Sequence, residues 1–253
     1  MDANAERLGC FAERVRYVPE TPSTNDAVLD LALAGAPEGT ALVAGRQTAG
    51  RGRRGREWFS RSGAGLYVSV VFRPPAISPL LTLMSGVALA EAVYGVSGVA
   101  VTLKWPNDLV VERGPRRKLG GILAEAGGST GGAAHVVVGF GINVAEIPRP
   151  ASLGDAVTSI EAEAGHAVPL PTLLVECLAS LAVWRAALAA GRTDAILKRW
   201  RQLSPSSEGT PVELADGARP RPGITAGIDA DGALRVRVGD AVERVIAGDV
   251  RWN

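Results

Sequence analysis

Residues 50–58 read G-R-G-R-R-G-R-E-W, and this run limits what the chain can build around it. With three glycines, four arginines and no aliphatic side chain, it adds nothing to a core and has to be carried as a loop. Closely spaced glycines let a backbone take φ > 0 and approach a ligand. Successive N–H groups in such a turn form an anion-binding concavity. Arg51, Arg53, Arg54 and Arg56 add permanent charge and planar forks that match carboxylate or phosphate. Trp58 offers a flat face for stacking. An anion site that also holds something planar fits these residues. On their own they fit a solvated basic loop or a nucleic-acid contact as well.

The flanking sequence supplies the frame. Thr40–Gly45 and Gly65–Arg73 are rich in β-formers and predict strands that deliver Arg46 and Gln47 to the loop. Upstream, T-P-S-T-N-D at 21–26 predicts a helix capped by Ser23 or Thr24, with Asp26 in its first turn and Gly35 at its end. Those two hydroxyls either only cap the helix or touch a ligand. Ser78 and Pro79 open a second helix that runs to Tyr94, with Gly95 after it; being apolar nearly all round, it has to be buried.

Val99–Lys104 predicts a strand ending in K-W-P-N-D, where Pro106 interrupts the ladder and makes Asn107 and Asp108 project from a bend. Leu109–Val111, K-L-G-G-I-L-A-E-A from Lys118, a turn over 127–132 and His135–Val144 continue as an antiparallel meander. Lys104, Asn107, Asp108, Lys118 and Asn143 then face one site. A short helix near 158–164, long helices over Leu170–Ala190 and Thr193–Leu203, and a linker at 204–209 follow. Short alternating strands with A-D-G, D-A-D-G and V-G-D turns close the chain as a small barrel.

Composition narrows the chemistry. Twenty-seven Lys and Arg against 26 Asp and Glu leave a net charge of +1, so the basic loop is local and not part of a duplex-binding surface. Two cysteines are too few for a disulfide framework or zinc site, and Cys177 sits in an apolar helical pattern. Only His135 and His166 are present, which argues against a Ser-His-Asp triad or a His-ligated metal. The N-terminus lacks a signal-peptide pattern, and no apolar segment is expected to span a membrane. The expectation is a cytoplasmic protein.

Ordered blocks at 23–26 (S-T-N-D), 50–58, 104–108 (K-W-P-N-D), 118–125 (K-L-G-G-I-L-A-E) and 139–144 (G-F-G-I-N-V) make the chain resemble the biotin protein ligases. G-I-T-A-G-I-D at 223–229 resembles the start of that family's C-terminal module. The resemblance implies an α+β fold, with a class II aminoacyl-tRNA-synthetase-like catalytic domain over 1–205 and an SH3-like barrel over 206–253. It implies biotin as substrate, ATP with Mg2+, and a biotin carboxyl carrier domain as partner, no DNA or membrane, and a homodimer as an allowed state. Some members carry an N-terminal winged helix; here the first block begins at residue 23, so no such repressor domain is expected.

The implied roles follow motif by motif. Ser23, Thr24, Asn25, Gln47, Gly50 and Arg51 match the biotin contacts, with Gly121 and Gly139 as close-approach glycines. Lys118 and Arg53 would bridge the biotin carboxylate and the α-phosphate, and Arg56 would hold the leaving phosphates. Trp58 would cover adenine, with Lys104, Asn107, Ile122 and Asn143 around the nucleotide. Asp108 would orient the acceptor lysine or hold Mg2+, unless it is only a buried carboxylate paired with an arginine. A carboxylate substrate is already ionised near neutrality and needs no general base, which agrees with the scarcity of histidine. A lipoate ligase, a nucleic-acid-binding protein and a non-catalytic biotin-binding regulator are the competing readings.

Overall fold

The computed structural model describes residues 3–127, 134–147, 156–215, 220–246 and 250–252. Most of the turn expected over 127–132 lies outside them, as do the last residues of the A-D-G turn. Among the described residues the strands are β1 (Val15–Thr21), β2 (Ala41–Gln47), β3 (Gly65–Phe72), β4 (Thr102–Lys104), β5 (Asp108–Val111), β6 (Arg117–Gly127), β7 (His135–Asn143), β8 (Glu208–Leu214), β9 (Arg221–Ile228), β10 (Leu234–Val238), β11 (Ala241–Val245) and β12 (Val250–Trp252). The helices are α1 (Ala3–Leu8), α2 (Thr24–Leu33), α3 (Leu80–Ser97), α4 (Ile160–Ala164), α5 (Leu170–Ala189) and α6 (Thr193–Leu203).

The first seven strands form one mixed sheet in the order β1-β2-β3-β7-β6-β5-β4. β1 runs parallel to β2, and every other pairing in it is antiparallel. Side chains alternate across a strand, and here the alternation divides labour. Val68, Val70, Ile122, Val138, Phe140 and Ile142 point into the main core with α3 and α5. Val71 and Val137 point the other way and pack under Val28 and Ala32 of α2. Ser69, Gly139, Gly141, Gly121, Leu123 and Glu125 share that second face, beside and beyond the first turn of α2. The core is therefore on one side of the sheet and the cavity on the other.

β8–β12 form a separate five-stranded antiparallel sheet, order β11-β10-β9-β8-β12. It is tied to the bend between β4 and β5, where Trp105 Nε1 donates to the Gly232 carbonyl at 3.1 Å, and to α6, where the Arg201 guanidinium donates to the Ile228 carbonyl at 2.9 Å.

Several expectations need correction. The second long helix does not stop at Gly95: Val96 still packs on the core, and the turn closes at Gly98, whose φ of 70° only glycine takes freely. Helix α1 was not expected, being one short turn pair held by its contact with α5 and an Arg7–Glu176 ion pair. The linker over 204–209 is packed instead: Ser204, Ser206 and Ser207 are buried, and Thr225 Oγ1 donates to the Ser206 carbonyl. Two helices, α3 and α5, are in fact long and apolar enough to cross a membrane, contrary to expectation. α3 is largely buried under the sheet, and the two helices pack on each other, so their apolar length serves the core.

Candidate active site

A cavity of about 600 Å³ lies on the glycine-bearing face of the sheet, under the arginine loop. The structure brings together Ser23, Thr24, Asn25, Gln47, Arg51, Arg53, Arg56, Trp58, Lys104, Asn107, Asp108, Lys118, Gly121, Ile122, Gly139 and Asn143 around it. Gly50 is the one expected residue set back from the wall. It roots the loop: Trp58 N–H donates to its carbonyl at 2.8 Å, and a Cβ there would lie 2.5 Å from the Trp58 carbonyl oxygen.

One end of the cavity is a polar chain. Ser23 caps α2 through the Asp26 N–H, and Thr24 contacts Gln47 Oε1 through both its N–H (2.9 Å) and its hydroxyl (3.0 Å). Gln47 Nε2 donates to Ser60 Oγ, and Ser69 Oγ contacts Thr24 Oγ1 at 2.8 Å and Asn25 Oδ1 at 2.6 Å. A Cβ at residue 139 would lie 1.9 Å from Asn25 Oδ1, so only glycine lets that amide lie on the sheet.

The other end is cationic. Lys118 Nζ donates to Asp108 Oδ1 at 2.6 Å, and Lys104 Nζ lies 3.8 Å from Asp108 Oδ2. The carboxylate thus pairs with two lysines. Burial lowers the Lys104 pKa, with Asp108 pulling the other way and Arg116, Lys118 and Arg56 adding to the depression. Arg53 donates to Asn107 Oδ1 at 3.3 Å, while Asn107 Nδ2 donates to the Ile122 carbonyl and Asn143 Nδ2 to the Thr158 carbonyl. Ile122 meets the cavity through its backbone, since its side chain belongs to the core. Arg54 holds φ 57°, ψ 39°, a left-handed conformation uncommon for a residue with a Cβ. Among the described residues no three His, Cys, Asp or Glu side chains gather as a metal site.

Trp58 bridges the two ends. A Cβ at Gly141 would lie 2.5 Å from its indole, and one at Gly121 would lie 3.3 Å from it. Lys118 Nζ sits 5.5 Å from the ring centroid, and the buried Nε1 has no partner among the described residues. Tyr67 fixes the far end of the loop by exchanging hydrogen bonds with the Arg61 backbone, and burial raises its phenol pKa to about 12.

Gly141, Leu123, Val157, Arg251 and Trp252 also line the cavity and were not anticipated. Gly141 was legible as the second glycine of G-F-G, two residues from Gly139 and so on the same face. Val157 pairs with Lys118 across an isolated bridge, and Trp252 lies under the Arg116 guanidinium; no local pattern marks either contact.

Residues 17–143 match the family described as Biotin/lipoate A/B protein ligase. The chain belongs to that family. It is 36% identical over 237 residues to the biotin–[acetyl-CoA-carboxylase] ligase of Paracoccus denitrificans, covering 89% of this chain and 95% of that one. It is also 36% identical over 242 residues to the bifunctional ligase/repressor BirA of Escherichia coli, covering 93% of this chain and 73% of that protein. The biotin protein ligase of Aquifex aeolicus, solved with biotin and ATP, superposes with a TM-score of 0.82 at 25% identity, covering 95% of this ligase and all of that chain.

Proposed function

We propose that this ligase activates biotin with ATP and passes it to a lysine of a carrier domain. In the first step a biotin carboxylate oxygen forms a bond to the α-phosphorus, the bond to the β-phosphate breaks, and pyrophosphate leaves with the electron pair. In the second, the acceptor amine attacks the acyl carbon and AMP leaves. The observation that carries this reading is one cavity with a polar hydrogen-bonding end and a cationic end, joined by an indole on a glycine floor. A neutral ring with N–H and C=O groups suits the first end, and a carboxylate meeting a triphosphate suits the second.

Two anions must meet in step one, so fixed positive charge is the main catalytic requirement. Lys118 and Arg53 are assigned to the carboxylate and α-phosphate, Arg56 to the leaving phosphates, and Lys104 to the nucleotide. Asp108 already spans two ammonium groups. That favours its orienting an incoming lysine over holding a metal, because among the described residues it belongs to no group of three His, Cys, Asp or Glu side chains. Mg2+ enters this scheme as part of the nucleotide substrate, and no step is assigned to it. Residues 1–205 are taken as the catalytic domain and 206–253 as an SH3-like module that supports the K-W-P-N-D bend through Trp105. Nothing in this scheme uses the loop on DNA, and a cytoplasmic site of action suits the substrates.

Incubating the chain with α-labelled ATP and either biotin or lipoate tests the assignment. Labelled adenylate should form with biotin only. Lipoyl adenylate alone would move the chain to the other branch of the family.

A further inference from the structure

Lys118 stands where the sheet stops holding its strand. The pairing of β6 with β7 begins only at Gly120, opposite Ile142. On the β5 side a register shift separates Lys118 from Gly120. The edge that β7 leaves open at Lys118 is taken by an isolated parallel bridge to Val157. There the Thr158 N–H donates to the Lys118 carbonyl at 2.9 Å. Val157 and Thr158 belong to no strand of their own, so other contacts have to hold them in place.

Glu163 of α4 supplies the central one. Its side chain is only 4% exposed. Its Oε1 accepts from the Thr158 hydroxyl and pairs with the Arg117 guanidinium at 2.9 Å. Arg117 immediately precedes Lys118. One buried oxygen therefore grips both the strand that carries Lys118 and the segment laid against it. The Asn143 amide adds a donation to the Thr158 carbonyl at 3.0 Å, and the Glu161 N–H ties α4 to the Val144 carbonyl at 3.0 Å. A buried ion pair is a weak source of net stability, because desolvation offsets the attraction. What this pair supplies is an anchor at a strand end that the ladder leaves loose. The Lys118 ammonium projects from that anchor into the cavity, 2.6 Å from Asp108 Oδ1.

We propose that Glu163 is a positioning residue for the adenylation step: through Thr158 and Arg117 it fixes the backbone from which Lys118 reaches the reacting carboxylate and phosphate. Glu163 stands behind the cavity wall, touches neither substrate in this scheme and acts through Lys118. This rests on reading Lys118 as a cation at the reacting centre.

A double-mutant cycle of Glu163→Gln and Lys118→Ala tests it, read by single-turnover formation of labelled biotinyl adenylate at saturating biotin and Mg-ATP. Glu163→Gln keeps the shape and removes the charge. It should slow adenylate formation about tenfold, with half-saturation by biotin and by ATP within about twofold of the parent, because a misaimed group costs rate more than binding. In the Lys118→Ala background the same substitution should slow the step by less than about twofold, since the group it aims is already gone. Thr158→Val removes one hydroxyl and leaves both charges. It should slow the parent about threefold and show the same dependence on Lys118, even if Glu163→Gln folds poorly. A purely structural role would slow both backgrounds by the same factor. Equal factors in the two backgrounds, or an unchanged rate in the folded variants, overturn the positioning role. Lys118→Ala working at the parental rate overturns the assignment of Lys118 instead, and a parent that forms no biotinyl adenylate overturns the ligase reading; the proposal falls with either.

Discussion

Lys118 Nζ and Asp108 Oδ1 stand 2.6 Å apart across adjacent strands, at the cationic end of the cavity. The pair aims the ammonium before any substrate anion arrives, which is the preorganisation that lowers a barrier between like charges. Lys118→Ala should slow adenylate formation by about 10²–10³-fold, the usual loss for one preorganised donor. The pair is about one-third exposed on the lysine side, so stability should change by about 1 kcal/mol or less. Pyrophosphate release at the parental rate by a folded Lys118→Ala would remove Lys118 from the mechanism.

Lys104 gives a pH dependence with a definite sign. Burial disfavours its charged form, so its proton leaves below the usual lysine value of 10.5. A bound triphosphate favours the ammonium, so nucleotide binding takes up a proton and weakens as pH rises through the lowered pKa. The KM for ATP should climb on the alkaline side. Lys104→Arg should flatten that limb, because a guanidinium stays charged there. An identical alkaline limb in parent and variant would assign it to another group.

Two glycine substitutions should separate site from scaffold. Gly139→Ala drives a Cβ into Asn25 Oδ1, breaking the polar chain at its most buried point. It should cost about 1–3 kcal/mol and raise the KM for biotin. Gly95→Ala sits inside α3 with open space around it and should stabilise by about 0.5–1 kcal/mol with kinetics unchanged. Thermal melts and biotin saturation curves on both variants decide it; equal behaviour of the two would refute the contrast.

Trp58 lies on the floor made by Gly121 and Gly141, next to Lys118. If its ring covers adenine, Trp58→Ala should raise the KM for ATP far more than that for biotin. Trp58→Phe should recover part of the loss, since a ring face remains and the indole N–H has no partner to lose among the described residues. Equal weakening towards both substrates would make Trp58 a packing residue.

What the sequence disclosed followed the range of each signal. The alternating strands, the apolar helix α3 and the Ser23 cap are local patterns, so the antiparallel meander and the residues of the loop, the K-W-P-N-D bend and the glycine strand could be read directly. The position of Gly95 misled because a glycine inside a helix looks the same as one ending it; Val96 packing on the core, a tertiary contact, settles the difference. Glu125, Val157 and Trp252 were passed over for the same reason. Each matters through a partner distant in the chain: Arg51 for the first, Lys118 for the second and Arg116 for the third. The Lys104–Asp108–Lys118 arrangement also needed three strands in register before Asp108 could be seen between two lysines.

The central claim is transfer of biotin to a carrier lysine through an adenylate made in this cavity. Intact-mass measurement of a biotin carboxyl carrier domain, after incubation with the ligase, biotin and Mg-ATP, tests it most directly. The account predicts a mass increase of one biotinyl group, dependent on ATP, placed on one lysine and accumulating about 10²–10³-fold more slowly with Lys118→Ala. An unmodified carrier beside a folded parent enzyme, or modification at the parental rate by Lys118→Ala, would contradict it.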